Sequence, residues 1–153
     1  VITVITHNRK FLMLHRHKEP FYNHWGFHGG KLRAANYILD QAAKSILNQT
    51  GLQCDVELKG LFSSKSFIEN IFAYNHQLFI VKASKPKEKL LSETKVGKNK
   101  WMTLDEIKNT NILPNIPHLI EIAIGKKFRW IEADRFQENN MFKEMKILRD
   151  VNP

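Results

Sequence analysis

The stretch from Trp25 to Leu52, WGFHGGKLRAANYILDQAAKSILNQTGL, sets the terms for the rest of the chain. Gly29-Gly30 reads as a turn in which the backbone takes positive φ and comes close to whatever binds. Beyond it, Ile38, Leu39, Ala42, Ile46 and Leu47 recur at helical spacing and predict one buried stripe. Gln41, Lys44, Ser45, Asn48 and Gln49 fall on the polar side. Asn36 is the expected N-cap and Gly51 the expected C-terminal stop. A glycine loop feeding a helix N-terminus offers backbone N–H groups and the positive end of a dipole, and Lys31, Arg33 and Lys44 add cations. That combination favours phosphate, although Gly-Gly before a helix is also a common plain turn.

The flanking pattern is that of a mixed α and β chain. Val1 to His7 and Phe11 to His15 predict an opening hairpin across a polar turn. Pro20 blocks a central strand in the irregular segment from Arg16 to Asn23. Leu52 to Ser64 and Ile71 to Ala83 predict strands, the second with the strongest strand pattern in the chain. Gly97 to Ile107 predicts a short strand entering a helix, with Thr103 and Glu106 as a capping box. Ile116 to Gly125 predicts a further helix whose Ile116, Leu119, Ile120, Ala123 and Ile124 share a face. Lys127 to Phe136 and Met141 to Leu148 predict a closing hairpin around Glu138-Asn139-Asn140. The expected class is α+β or a mixed-sheet sandwich in one domain over 1–153, with the hairpin at 127–148 as a C-terminal extension.

Twenty-four basic residues against 15 acidic give a net charge of +9. Such a field attracts polyanions, whether nucleotides, nucleic acid or anionic lipid, and it also serves solubility alone. No apolar run approaches the ~20 residues of a membrane span, so no membrane partner is expected. The start reads as strands rather than a signal peptide. Cys54 is the only cysteine. It allows no intrachain disulfide, fits a reducing cytoplasm and reads as a packing residue. His15, His17, His24 and His28 cluster before the helix without a zinc-site spacing. Phe21, Tyr22, Trp25 and Phe27 could stack on a base at a cleft mouth, with at least one of Trp25 and Phe27 assigned to the core.

From Gly30 the spacing resembles the Nudix box: Gly, five residues, Glu, seven residues, Arg-Glu, an aliphatic, any residue, Glu-Glu, any residue, Gly, aliphatic. Gly30, Ile46, Gly51 and Leu52 match it. The upstream "KEPF…W…GGK" pattern is similar to MutT-like proteins of the 8-oxo-dGTP diphosphatase type. Lys100 to Ile107 (KWMTLDEI) resembles the family's downstream segment. The resemblance implies an α/β/α sandwich with a mixed β-sheet, a box helix and a C-terminal helix. It also implies a nucleotide or other phosphate compound as ligand.

The carboxylates that the resemblance calls for are missing. Asn36 stands at the first Glu, Lys44-Ser45 at Arg-Glu and Asn48-Gln49 at Glu-Glu, and His28 stands where relatives usually have Pro. In the family those glutamates hold Mg²⁺, which bridges a diphosphate and activates water. Neutral Asn, Gln and Ser cannot offset the desolvation of a divalent cation, and Lys44 adds repulsion. No resident cofactor is therefore expected, and Mg²⁺ enters only if hydrolysis survives. Glu93, with Asp40 and Glu69, is the carboxylate left to support a non-standard site. Three functions stay open: a binding protein using Gly29, Gly30, Lys31, Arg33, Lys44, Phe21, Tyr22 and Trp25; an active diphosphohydrolase with a non-standard metal site; and an RNA- or protein-binding module.

Overall fold

The strongest strand pattern in the sequence becomes the centre of the sheet. The computed structural model describes residues 1–19, 21–139 and 141–152. Pro20, expected to interrupt a strand, and Asn140 of the expected closing turn lie outside the described residues. The strands are β1 (Ile2–His7), β2 (Lys10–Arg16), β3 (Trp25–Gly26), β4 (His28–Gly29), β5 (Gln53–Ile68), β6 (Ile71–Lys87), β7 (Glu93–Thr94), β8 (Gly97–Met102), β9 (Arg129–Glu138) and β10 (Met141–Val151). The helices are α1 (Ile38–Thr50), α2 (Leu104–Lys108) and α3 (Ile116–Ile124).

The main strand order is β10-β9-β5-β6-β1-β2-β8-β7, with β3 beside β2 and β4 beside β1. β1 runs parallel to β6, and β9 runs parallel to β5, while the other pairs are antiparallel. This is an α/β/α sandwich on a mixed sheet. The closing hairpin is part of that sheet, because β9 pairs with β5 along its length from Gly60↔Arg129 to Ile68↔Gln137.

Helices cover both faces, so the central strands are apolar on both sides. Val4, Phe62, Ile80 and Ile131 pack with Ile116, Leu119, Ile120, Ile122 and Ala123 of α3. Val1, Ile5, Leu12, Val81 and Ala83 turn the other way, where Ala42 and Ile46 of α1 cover them. Each such fully buried aliphatic or aromatic side chain contributes about 1.5–3 kcal/mol.

The buried stripe of α1 differs from the periodic pattern. Ala42, Ser45, Ile46 and Thr50 are buried, whereas Leu39 and Leu47 are 39% and 47% exposed. Thr50 is tolerated inside because its hydroxyl donates to Ile46 O at 2.6 Å and accepts from Leu52 N at 3.1 Å. Tyr37 rather than Asn36 occupies the N-cap, without a side-chain cap. Gly51 ends the helix at φ 75° with its N–H on Leu47 O, the left-handed close expected of glycine. In α3, Ile124 is exposed, and Ile122 takes its place in the core.

Candidate functional site

β1 and β2 are paired only beside their turn, at Thr6↔Phe11 and His7↔Lys10. Beyond it they diverge, β1 pairing with β4 and β2 with β3. The fork opens a cavity of about 800 Å³. Its apolar walls include Val1, Ile2, Leu14, Phe27, Leu78 and Phe79, and its charged and polar ones include Arg16, Lys18, Glu19, Lys31, Gln49 and His76.

The glycine turn at the floor is held by α1. Gln49 Nε2 donates to Gly29 O at 2.7 Å, and its Oε1 accepts from Gly29 N at 3.3 Å. Gly30 N donates to Val1 O at 3.0 Å. Both glycine N–H groups are therefore committed within the protein. Neither glycine has positive φ; among the described residues Gly51 and Gly97 do. The close approach is instead to the chain's own backbone, because a Cβ on Gly29 would sit 2.3 Å from Val1 O.

Along α1 a neutral relay replaces charge. Asn36 Nδ2 donates to Gln41 Oε1 at 2.9 Å, and Gln41 Nε2 donates to Ser45 Oγ at 3.1 Å. Ser45 is buried under Gly30, whose Cβ would lie 3.2 Å from its Oγ. A second buried link backs the turn. Asn99 Nδ2 donates to Gln49 O and Leu91 O, both at 2.8 Å. Its Oδ1 must then accept, so His28 Nε2 carries the proton in their 2.7 Å bond. His28 is fully buried, Nδ1 has no partner among the described residues, and desolvation pushes its pKa down to about 4 against the opposing hydrogen bond to Asn99.

No family model matches the sequence. Solved structures do match. A mutator MutT protein from Bacillus halodurans superposes with a TM-score of 0.80 at 20% identity, over 96% of this chain and 95% of that one. The chain has the Nudix fold. A MutT Nudix hydrolase from Burkholderia pseudomallei matches with a TM-score of 0.63 at 15% identity, over 81% of this chain and 95% of that one. The Nudix domain of Shewanella oneidensis NrtR, complexed with ADP ribose, matches at 0.63 and 17% identity, over 80% and 81%.

In this Nudix fold the cavity gathers Gly29, Gly30, Lys31 and Gln49 from the residues singled out by sequence. Lys44, Asn48 and Arg33 are exposed and do not line it. Tyr22 is exposed, and Phe21 borders a separate small void. Trp25 stacks on His15 at 4.7 Å between ring centroids and packs against the α3-side core, while Phe27 is buried and lines the cavity. Glu93 lies 3.7 Å from His17 Nδ1, Glu69 accepts from Asn139 N, and Asp40 is exposed in the first turn of α1. None of these three carboxylates lines the cavity. Arg16, Lys18 and His76 were not singled out by sequence. The first two stand in the basic stretch Arg16-His17-Lys18 at the end of β2, and His76 carries no local signal within its strand.

The Nudix-box positions do not fit a divalent cation. Mg²⁺ is held by hard oxygen ligands that include carboxylate. Here Gln49 engages both its amide oxygen and its amide nitrogen with Gly29, and Asn36 and Ser45 are bonded through Gln41. Among the described residues no group of three or more His, Cys, Asp or Glu could hold a metal. No helix among them is long and apolar enough to cross a membrane.

Proposed function

We propose that this is a Nudix-fold protein that binds a nucleotide or another phosphate compound and has lost, or greatly reduced, metal-dependent diphosphohydrolase chemistry. The observation that carries the reading is Gln49. At the last glutamate position of the box it spends both amide atoms on Gly29. The position is thereby converted from a metal ligand into a brace for the cavity floor. Among the described residues the one carboxylate lining the cavity is Glu19, which follows β2 and acts on the Arg16 guanidinium rather than standing on α1.

Binding is supported by the cavity that remains. Arg16, Lys18 and Lys31 outnumber Glu19 there, which suits an anion, and Phe27 and Phe79 provide apolar area for a base. A nucleotide-derived ligand also accompanies the similar NrtR domain. The cations take over the role that the sequence assigned to the glycine N–H groups, which are already bonded. A single cysteine agrees with a reducing cytoplasmic setting. Isothermal titration with nucleoside mono-, di- and triphosphates and ADP-ribose, with and without Mg²⁺, tests the reading. The expected result is binding without metal that weakens when Lys31→Ala is introduced. Absence of binding at millimolar ligand, or rapid turnover in Mg²⁺, contradicts it.

A further inference from the structure

At one end of the sheet the fold gathers cations that lie far apart in the sequence. A groove of about 560 Å³ opens beside the β1–β2 turn, and Arg9, Lys10, Lys82 and Lys85 line it with no carboxylate among its walls. Arg9 and Lys10 come from the turn and the start of β2, and Lys82 and Lys85 from β6. The parallel pairing of β1 with β6, through Val4↔Lys82 and Ile5↔Ala83, brings the two pairs together. Neighbouring carboxylates are already engaged. Asp55 pairs with Lys85 at 2.9 Å, and Glu57, opposite Lys82 in register, pairs with Lys59 at 3.1 Å. Glu106, which feels the charge of Lys10, accepts from Thr103 N. No ion pair engages Arg9, Lys10 or Lys82 among the described residues. Like charges along one recess repel one another until an anion covers them.

The turn itself departs from the easiest choice. Asn8 and Arg9 form a two-residue hairpin loop, and both are left-handed, at φ 47° and 60°. Such a loop prefers Asn-Gly, and a glycine in place of Arg9 would fit the backbone better but bring no guanidinium. The groove also offers surfaces to a base. The exposed His7 ring accepts from Asn8 Nδ2 at 3.0 Å, and Ile124 at the end of α3 is 54% exposed. Cations beside a ring and an aliphatic face suit a chain of phosphates carrying unstacked bases. A flat lipid surface does not enter a recess. The groove shares no lining residue with the main cavity, which lies at the other end of β1 beside Val1 and Ile2.

We propose that this groove is a binding surface for single-stranded nucleic acid, separate from the cavity between β1 and β2. Arg9, Lys10 and Lys82 hold phosphates, Lys85 adds to the field, and His7 and Ile124 pack against a base. The surface uses neither a metal nor the α1 network, so it stands independently of the function proposed for the main cavity.

Fluorescence anisotropy with a labelled oligouridylate of about 12 residues, across a range of NaCl concentrations, tests it on the whole chain. Three phosphate contacts give a slope of log Kd against log [NaCl] of about 2, or roughly 20-fold weaker binding on going from about 50 to 200 mM salt. Arg9→Gly combined with Lys82→Ala should cut that slope by about 1.4. Arg9→Gly suits the turn, and should Lys82→Ala fail to fold, Arg9→Gly with Lys10→Ala carries the same expectation. Lys65→Ala with Lys143→Ala removes as many charges, near the end of β5 and on β10, and should leave the slope unchanged. Lys31→Ala, at the main cavity, should also leave it unchanged. No binding at about 100 µM protein in about 50 mM salt overturns the proposal. So does a slope that is unchanged in the groove variants, that falls equally in the control pair, or that falls in Lys31→Ala alone. Binding to phosphatidylserine vesicles without binding to the oligonucleotide assigns the groove to lipid and overturns it too.

Discussion

Gln49 and His28 show how far single residues have moved from what their neighbours in sequence suggest. Gln49 needs both a donor and an acceptor to bracket Gly29. Gln49→Glu restores the carboxylate of the box yet sets a lone pair against Gly29 O. It should destabilise the protein by about 1–3 kcal/mol in urea denaturation. A variant as stable as wild type would show that the brace is dispensable. His28 has a folded pKa of about 4, below an unfolded value near 6.5. The unfolded chain therefore binds the proton first, so stability is full above pH 6.5 and falls as pH drops toward 4. The loss reaches roughly 3 kcal/mol, and His28→Gln should flatten that slope in denaturant titrations between pH 7 and pH 4. The spacing of Gly30, Ile46, Gly51 and Leu52 made the positions of the site legible. The partners of those positions were not, because Gln49 meets Gly29 twenty residues away and Asn99 joins His28 across 71.

Elements with local signals followed the sequence closely. Thr103 and Glu106 form the expected capping box: Thr103 Oγ1 accepts from Glu106 N at 3.2 Å, and Thr103 N donates to Glu106 Oε2 at 2.7 Å. The helix it starts, α2, has five residues and buries Ile107 in the core. Thr103→Ala should cost about 1 kcal/mol in equilibrium unfolding, and an unchanged midpoint would assign the start of α2 to tertiary packing alone. For α1 the periodic reading erred in physical terms. It counted Ser45 as outward because it is polar, whereas Ser45 is buried with its hydroxyl accepting from Gln41, and Thr50, which it did not place, buries its hydroxyl against Ile46 O. Leu39 and Leu47 are left at the surface. Pairing between β5 and β9 spans residues more than sixty apart, and no local pattern announces a parallel neighbour.

At the scale of the whole molecule, the two-sided sheet, the fork between β1 and β2 and the cavity stand together with a neutral face on α1. The fold depends on apolar alternation and glycine placement, which the sequence retains. Metal chemistry depends on charge at four positions, which it does not. These two demands are separable, so the Nudix fold stands here at 20% identity to a MutT structure with amides and a hydroxyl at those four positions. Whether this neutral face holds a divalent cation decides the proposed function. Titration with Mn²⁺ followed by electron paramagnetic resonance measures that directly, without a substrate or an assay for turnover. No stoichiometric site tighter than about millimolar is expected, in the free protein or in Gln49→Ala. One Mn²⁺ bound per chain at micromolar concentration would contradict it.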